Sequence, residues 1–399
     1  MLPVIDQPFP HDLMPIPDHD EHAREDFTVT LKLFASEHLY PYDEVVYEKR
    51  AKPKFIKENS RAPENCDEVH HLMMGDPFTQ FWSSIARNMQ ESLWDTQGRI
   101  AERQLDRIEA EAKKNSAEPI GSLTLDPDFK TPLYIDAVDI HAMPGGYQTT
   151  LSDDDVLQGA VYDRGAYYYT KGMVGRHGQG GGTAMVMAVK DRYPELKPKR
   201  ILDVGCAIGW STAPLLHAYP DAEVYGIDVG AAILRYGHAR SESLGDKIHY
   251  LQMSGDDIKF PDGHFDLVVS GGVFHETSHK GAKKMVSEMH RVTAPGGVCM
   301  NYDIPYGGAY NLHAQFMLNW DCYYNAEPFW RQWTSWDRTE FMANGGFDQD
   351  AVQEWWADRD HHGNFKLFKD PFDDLHTSAR GGIGRVHFFG AKKPPNKPS

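Results

Sequence analysis

From Arg200 to Asp303 the chain alternates between short apolar runs and amphipathic ones, an order that few folds satisfy. RILDVGC, AEVYGIDV, IHYLQMS, FDLVVSGGVF and VCMNYDI read as strands buried on both faces and bounded by turn residues. Trp210–His217, AAILRYGHARSES and GAKKMVSEMHRVT read as helices among them. Strands returned by helical crossovers lie parallel, so the expected core is a doubly wound α/β sheet. Further on, AVQEWWA and VHFFGAKKP read as an antiparallel pair that closes it, making seven mostly parallel strands. The stretch between them, 358–385, is too long for a plain hairpin. Sheets of this kind bind ligands at the carboxyl ends of their strands.

The first of those ends carries the loop of RILDVGCAIGWSTAPLL, with Gly205, Ala207 and Gly209 directly behind a strand. Small residues there let backbone amides approach a ligand closely. Nicotinamide, flavin and S-adenosylmethionine sites all use such loops, so the loop alone leaves the cofactor open.

Charge removes two partner classes. A formal net charge of −17 argues against an electrostatic grip on nucleic acid or an anionic membrane, since both need surplus Lys and Arg. The N-terminus has prolines and acids where an export signal needs a basic start and an apolar run. No window reads as a spanning helix, and Cys66, Cys206, Cys299 and Cys322 form no CxxC pair, so a reducing, cytoplasmic setting with free thiols is expected. His11, His19 and His22 lie in a proline-broken segment and His70–His71 are adjacent, so neither group offers a fixed ligand geometry, and no metal site is expected.

Residues 1–157 are expected to form a largely helical cap, a substrate or dimerisation region. Within them, 1–65 read as an extended arm, Phe81 to Lys114 as a long amphipathic helix interrupted at Gly98, and YIDAVDIHA as a short strand. The long helix suits packing and a homodimer contact equally. The insertion 307–336 concentrates Phe316, Trp320, Tyr323, Tyr324, Phe329, Trp330, Trp333 and Trp336. Such flat apolar surface suits an aromatic or hydrophobic small-molecule acceptor, and it suits burial of the N-terminal helix as well. Tyr306, Trp320, Tyr323 and Tyr324 are the expected substrate contacts.

From about 158 to 393 the chain resembles the class I S-adenosylmethionine-dependent methyltransferases of the small-molecule type. The resemblance rests on LDVGCAIG, on Asp228 ending YGIDV, on SGDDIKFPDGHFDLVVS and on MHRVTAPGGV. It implies a Rossmann-like sheet over 158–399 with S-adenosylmethionine across its edge. Asp203 would orient the methionine amino group above the Gly205–Gly209 turn. Asp228, with Val229 beside it, would accept from the ribose hydroxyls. Asp256 or Asp257 would accept from the adenine amine, Ile258 would cover the ring, and Gly271 would line the pocket. VYDRGAYYY resembles the helix that folds over the cofactor, bringing Tyr162, and with it Arg164 or Tyr168, to the site. Alanine replaces the family's usual middle glycine at 207, where a negative φ is expected to accommodate it.

His275, just beyond the fourth core strand and followed by Glu276, resembles the histidine that removes the acceptor's proton in plant-type O-methyltransferases. The expected function is in-line methyl transfer to a small organic acceptor, O-methylation favoured and C-, N- or S-methylation open. The alternative is a non-catalytic S-adenosylmethionine-binding scaffold whose N-terminal region binds a protein. NYDIPYG does not stand as an amino-methyltransferase motif, because it follows the fifth strand and lacks the first proline.

Overall fold

The computed structural model describes residues 7–359, 365–368 and 385–395. Nine strands form one sheet: β1 (Ser122–Thr124), β2 (Arg200–Val204), β3 (Glu223–Asp228), β4 (His249–Gln252), β5 (Phe265–Gly271), β6 (Thr293–Asp303), β7 (Val352–Arg359), β8 (Phe365–Phe368) and β9 (Arg385–Lys392). Their order is β1-β4-β3-β2-β5-β6-β9-β7-β8. The seven expected strands are its contiguous centre, and β1 and β8 extend the two edges. Neighbours from β1 to β6 run parallel, while β9 lies antiparallel to both β6 and β7. β8 falls within 358–385, most of which lies outside the described residues.

Period-two alternation in the parallel strands feeds two cores. Ile201, Val224, Leu267 and Val298 point to one face, under α9 (Gly180–Arg192) and α10 (Thr212–Ala218). Leu202, Val204, Ile227 and Val268 point to the other, under α12 (His279–Val292) and α15 (Arg338–Asn344). β2 lies between β3 and β5, so the chain reverses direction across the sheet there, and a crevice opens at its carboxyl end.

The N-terminal region is helical where an arm was expected. α1 (His19–Phe34), α2 (Tyr40–Val46) and α3 (Lys52–Asn59) run almost continuously, joined by single π-helical turns. Asp18 and Glu21 make a reciprocal capping box at the start. Pro41 and Pro53 sit in the first turns of α2 and α3, where their missing N–H costs nothing, so prolines that read as breakers punctuate instead. After α4 (Cys66–Met74) come α5 (Pro77–Glu102) and α6 (Leu105–Asn115). The break falls at Arg103–Gln104, not at Gly98, and Arg103 turns out to pair with Glu21.

YIDAVDIHA is not a strand. It forms α7 (Leu133–Asp136) and a 3-10 turn, Ile140–Ala142, with His141 at φ 60°. Next come α8 (Leu157–Tyr169), α11 (Ala231–Leu244), α13 (Leu312–Tyr324) and α14 (Trp330–Ser335). Among the described residues no helix is long and apolar enough to cross a membrane.

Two buried carboxylates tie this region down. Asp43 of α2 accepts from Thr79 Oγ1 at 2.6 Å and Trp82 Nε1 at 2.7 Å, and meets His313 Nε2 of α13 at 3.0 Å. Asp163 of α8 meets His11 Nε2 at 2.8 Å, and accepts from Tyr236 OH at 2.9 Å, Trp210 Nε1 at 3.0 Å and Arg240 Nε at 3.2 Å.

Candidate active site

The loop leaving β2 turns through three left-handed residues, Gly205 at φ 76°, Ala207 at 45° and Gly209 at 87°. Gly205 and Cys206 donate to the Ile227 carbonyl, and Ala207 N–H donates to Asp228 Oδ2 at 3.0 Å. The negative φ expected at Ala207 is therefore corrected: this alanine holds a glycine-like conformation, fixed by its bond to Asp228. A Cβ at Gly209 would lie 2.0 Å from the Tyr250 hydroxyl. With both strain and overlap, Gly209→Ala is expected to destabilise the protein by about 2 kcal/mol or more, read as a lowered denaturation midpoint.

One cavity of about 390 Å³ opens above this loop, and it is where the expected residues gather. Tyr162, Gly205, Ala207, Asp228, Val229, Asp256, Gly271 and His275 all line it. Asp228 is half-buried at the cavity floor. Burial raises its carboxyl above the usual range, while the backbone N–H groups of Gly230 and Ala207 pull the other way.

Other residues sit elsewhere. Asp203 accepts through Oδ2 from Ser211 Oγ at 2.6 Å and Thr212 Oγ1 at 2.7 Å, securing the start of α10; it does not line the cavity, and its buried Oδ1 has no hydrogen-bond partner. Burial pushes it up to about 6 against those two donors. Gly209 packs on Tyr250, Asp257 pairs outward with Lys259, and Ile258 is buried in the apolar core. Arg164 and Tyr168 are engaged below: Arg164 clamps Glu25 of α1 through two bonds of 2.6 Å, and Tyr168 bonds Gln7.

The substrate contacts need the same correction. Trp320 donates to Ser83 of α5 and packs on Trp82, Tyr324 lies against Trp320 and His70, and Tyr323 is exposed and accepts from Arg331. Neither these three nor Tyr306 line the cavity. In the insertion Phe316, Trp320 and Tyr324 pack on the N-terminal helices and Trp333 and Trp336 in the core beside the sheet, and of its nine large aromatics only Trp330 reaches the wall.

More of the wall comes from side chains that the sequence did not single out within the cap region and the β2 loop. Trp94, Tyr134, His141 and Tyr147 enter from the N-terminal region, and Trp210 from the β2 loop itself. Trp210 directly follows Gly209, so its position was readable, whereas His141 has no local signal.

At the far end His275 is fixed by Asp303, whose Oδ1 lies 2.7 Å from Nδ1. The carboxylate can only accept, so Nδ1 carries the proton and Nε2 faces inward, 3.7 Å from Glu276 Oε1. Glu276 Oε1 in turn lies 2.9 Å from His141 Nε2 and accepts from Tyr147 OH at 3.0 Å. Burial lowers both imidazoles, but the carboxylates outweigh it: Glu327 and Glu276 raise His141 to about 10, and Asp303 and Glu276 raise His275 to about 9.

The methyltransferase-domain family model matches residues 201–297, which span β2 to the start of β6. Over 120 residues the chain is 33% identical to a demethylmenaquinone methyltransferase of Thermus thermophilus, covering 30% of this chain and 54% of that one. Over 104 residues it is 39% identical to a probable tocopherol O-methyltransferase of Oryza sativa, covering 26% and 28%. Over 127 residues it is 32% identical to a ubiquinone/menaquinone biosynthesis C-methyltransferase of Burkholderia cenocepacia, covering 30% and 51%. The chain thus spans about half or less of the length of these relatives.

Proposed function

Residues 201–297 match the methyltransferase-domain family model, and on that premise we propose that the chain is a class I S-adenosylmethionine-dependent methyltransferase acting on a small, hydrophobic, ring-bearing acceptor, at oxygen by preference. The observation that carries this reading is the single cavity shared by the β2 loop, Asp228 and His275, with Tyr134, Tyr147, Tyr162, Tyr169 and Trp330 around it. The names of two relatives, for demethylmenaquinone and tocopherol, support the hydrophobic ring-bearing acceptor, while the methylated atom differs among the relatives, oxygen in one name and carbon in another.

In this reading Gly205–Ala207 receives the methionine half of the cofactor, Asp228 the ribose and Asp256 the adenine. S-adenosylmethionine held there would supply an electrophilic methyl group for in-line attack by the acceptor's lone pair, with the carbon–sulfur bonding electrons leaving on sulfur as the acceptor gives up its proton. Aromatic walls keep water from the sulfonium. His275 serves the acceptor through Nε2, which in the neutral form of the ring takes the proton itself or holds what does.

Asp228→Ala is expected to weaken S-adenosylhomocysteine binding about 10- to 100-fold by calorimetry, because two ribose hydrogen bonds go with it. Unchanged affinity would overturn the ribose assignment. For the reaction, the protein is incubated with methyl-labelled cofactor and a metabolite extract. Label in an extractable small molecule supports the enzyme; binding without transfer to any product leaves the scaffold reading in its place.

A further inference from the structure

The end of the cavity holds a cluster whose arrangement the methyl-transfer reading does not require. His141, His275, Glu276 and Glu327 each offer one ligand atom, and these four atoms lie within 4.8 Å of one another. They come from three separate stretches: the turn after α7, the segment following β5, and the connection between α13 and α14. From this convergence we propose that the cluster is a binding site for one divalent first-row transition-metal ion, placed to hold the acceptor's oxygen.

Glu327 is the strongest pointer. It is 0% exposed, it meets His141 Nδ1 as an ion pair, and neither of its carboxylate oxygens has a hydrogen bond of acceptable geometry. A buried carboxylate without hydrogen bonds is costly, and coordination to a cation removes that cost. The other three are held in the manner of ligands. Asp303 fixes the His275 ring through Nδ1, and Tyr147 OH donates to Glu276. The His141 carbonyl accepts from Gln90 Nε2 and Trp94 Nε1, both at 2.9 Å, which pins a residue at φ 60° where a non-glycine is strained. Such supporting hydrogen bonds are what orient metal-binding side chains.

Donor chemistry narrows the ion. Two imidazole nitrogens with two carboxylate oxygens suit Zn²⁺, Mn²⁺ or Fe²⁺, whereas Mg²⁺ prefers oxygen alone. Bonds from such an ion run about 2.0 to 2.2 Å, which a cluster this tight reaches by small side-chain adjustments. An added coordination position toward the cavity would take the acceptor's hydroxyl and lower its pKa, so that the oxygen attacks as an anion and its proton goes to solvent. His275 is then a ligand, and the ion supplies what a base would. This catalytic use rests on the methyl-transfer reading; the binding itself does not.

The test needs neither cofactor nor acceptor. Full-length protein stripped with a chelator is titrated calorimetrically with Zn²⁺ and, separately, with Mn²⁺. One equivalent per chain is expected for at least one of them. Glu327→Gln and His141→Gln should each weaken it by at least the roughly 10- to 100-fold that the loss of a supporting hydrogen bond costs. An unchanged circular dichroism spectrum and a cooperative thermal transition show that each variant is folded. Failure of the unaltered protein to take up either ion overturns the site whatever the variants do, and so does equal uptake by the unaltered protein and by a folded variant. Neither result touches the methyl-transfer reading, which fails only in the labelled-cofactor assay.

Discussion

A His275→Ala variant is expected to bind S-adenosylhomocysteine as the unaltered protein does and to lose about a hundredfold or more in kcat once an acceptor is in hand. The separation follows from position. The cofactor's expected contacts lie on the loop after β2, at the ends of β3 and β5, after β4 and on α8, whereas the His275 side chain beyond β5 meets Asp303, Glu276 and the ring of Trp330. Removing the imidazole takes away the group that serves the acceptor, as base or as ligand, and leaves the ribose and adenine contacts alone. His275→Asn keeps a polar side chain but not the reach of Nε2, so it should fall with alanine. A loss below about tenfold in both variants would take His275 out of the chemistry, since a positioned proton-transfer group typically contributes 10²- to 10⁴-fold.

Asp163→Ala is expected to destabilise the fold by about 3 to 5 kcal/mol, the cost of stripping the acid from a buried charged network. Four donor groups converge on this carboxylate, and it is 1% exposed. Arg240, itself 3% exposed, would keep its charge with no carboxylate beside it. Burial alone would raise Asp163, but Arg240 and His11 outweigh it and hold the acid at about 2, below the usual 3.8. A depressed folded pKa stabilises above the unfolded value and loses that contribution as pH falls through the folded one. Roughly 2 kcal/mol should therefore be present above about pH 4 and disappear toward pH 2. Denaturant midpoints measured across that range should fall steeply for the unaltered protein and more gently for Asp163→Asn. Parallel curves would show that Asp163 is not a principal acid-sensitive group.

Residues 200–303 were legible because each β-strand there is a short buried run between amphipathic helices, so local pattern and global fold agree. β1 escaped because Ser122–Thr124 is three residues long, too short for any period to show. The N-terminal helices were hidden by Pro41 and Pro53, and the capping box at Asp18–Glu21 was the countersignal. At the site, the β2 loop and Asp228 stood out because their spacing along the chain is the site's own geometry. Trp320 and Trp330 are indistinguishable by composition, yet one faces Trp82 and the other the cavity; only helix orientation decides which. Asp203 was misplaced for a related reason: position after a strand predicts proximity to the cofactor, but Ser211 and Thr212 compete for the carboxylate.

The meeting of His141 with Glu327 joins positions 186 residues apart along the chain (327 − 141). Closing so long a loop costs entropy that local contacts cannot recover, so contacts of this kind are late events in folding. On the ribosome, the sheet's first parallel strands, the glycine loop and Asp228 have all been made before Glu327 exists. A nascent chain thus owns the parts of a cofactor cradle well before it owns a closed acceptor chamber, and truncation between Asp256 and Glu327 leaves the first without the second.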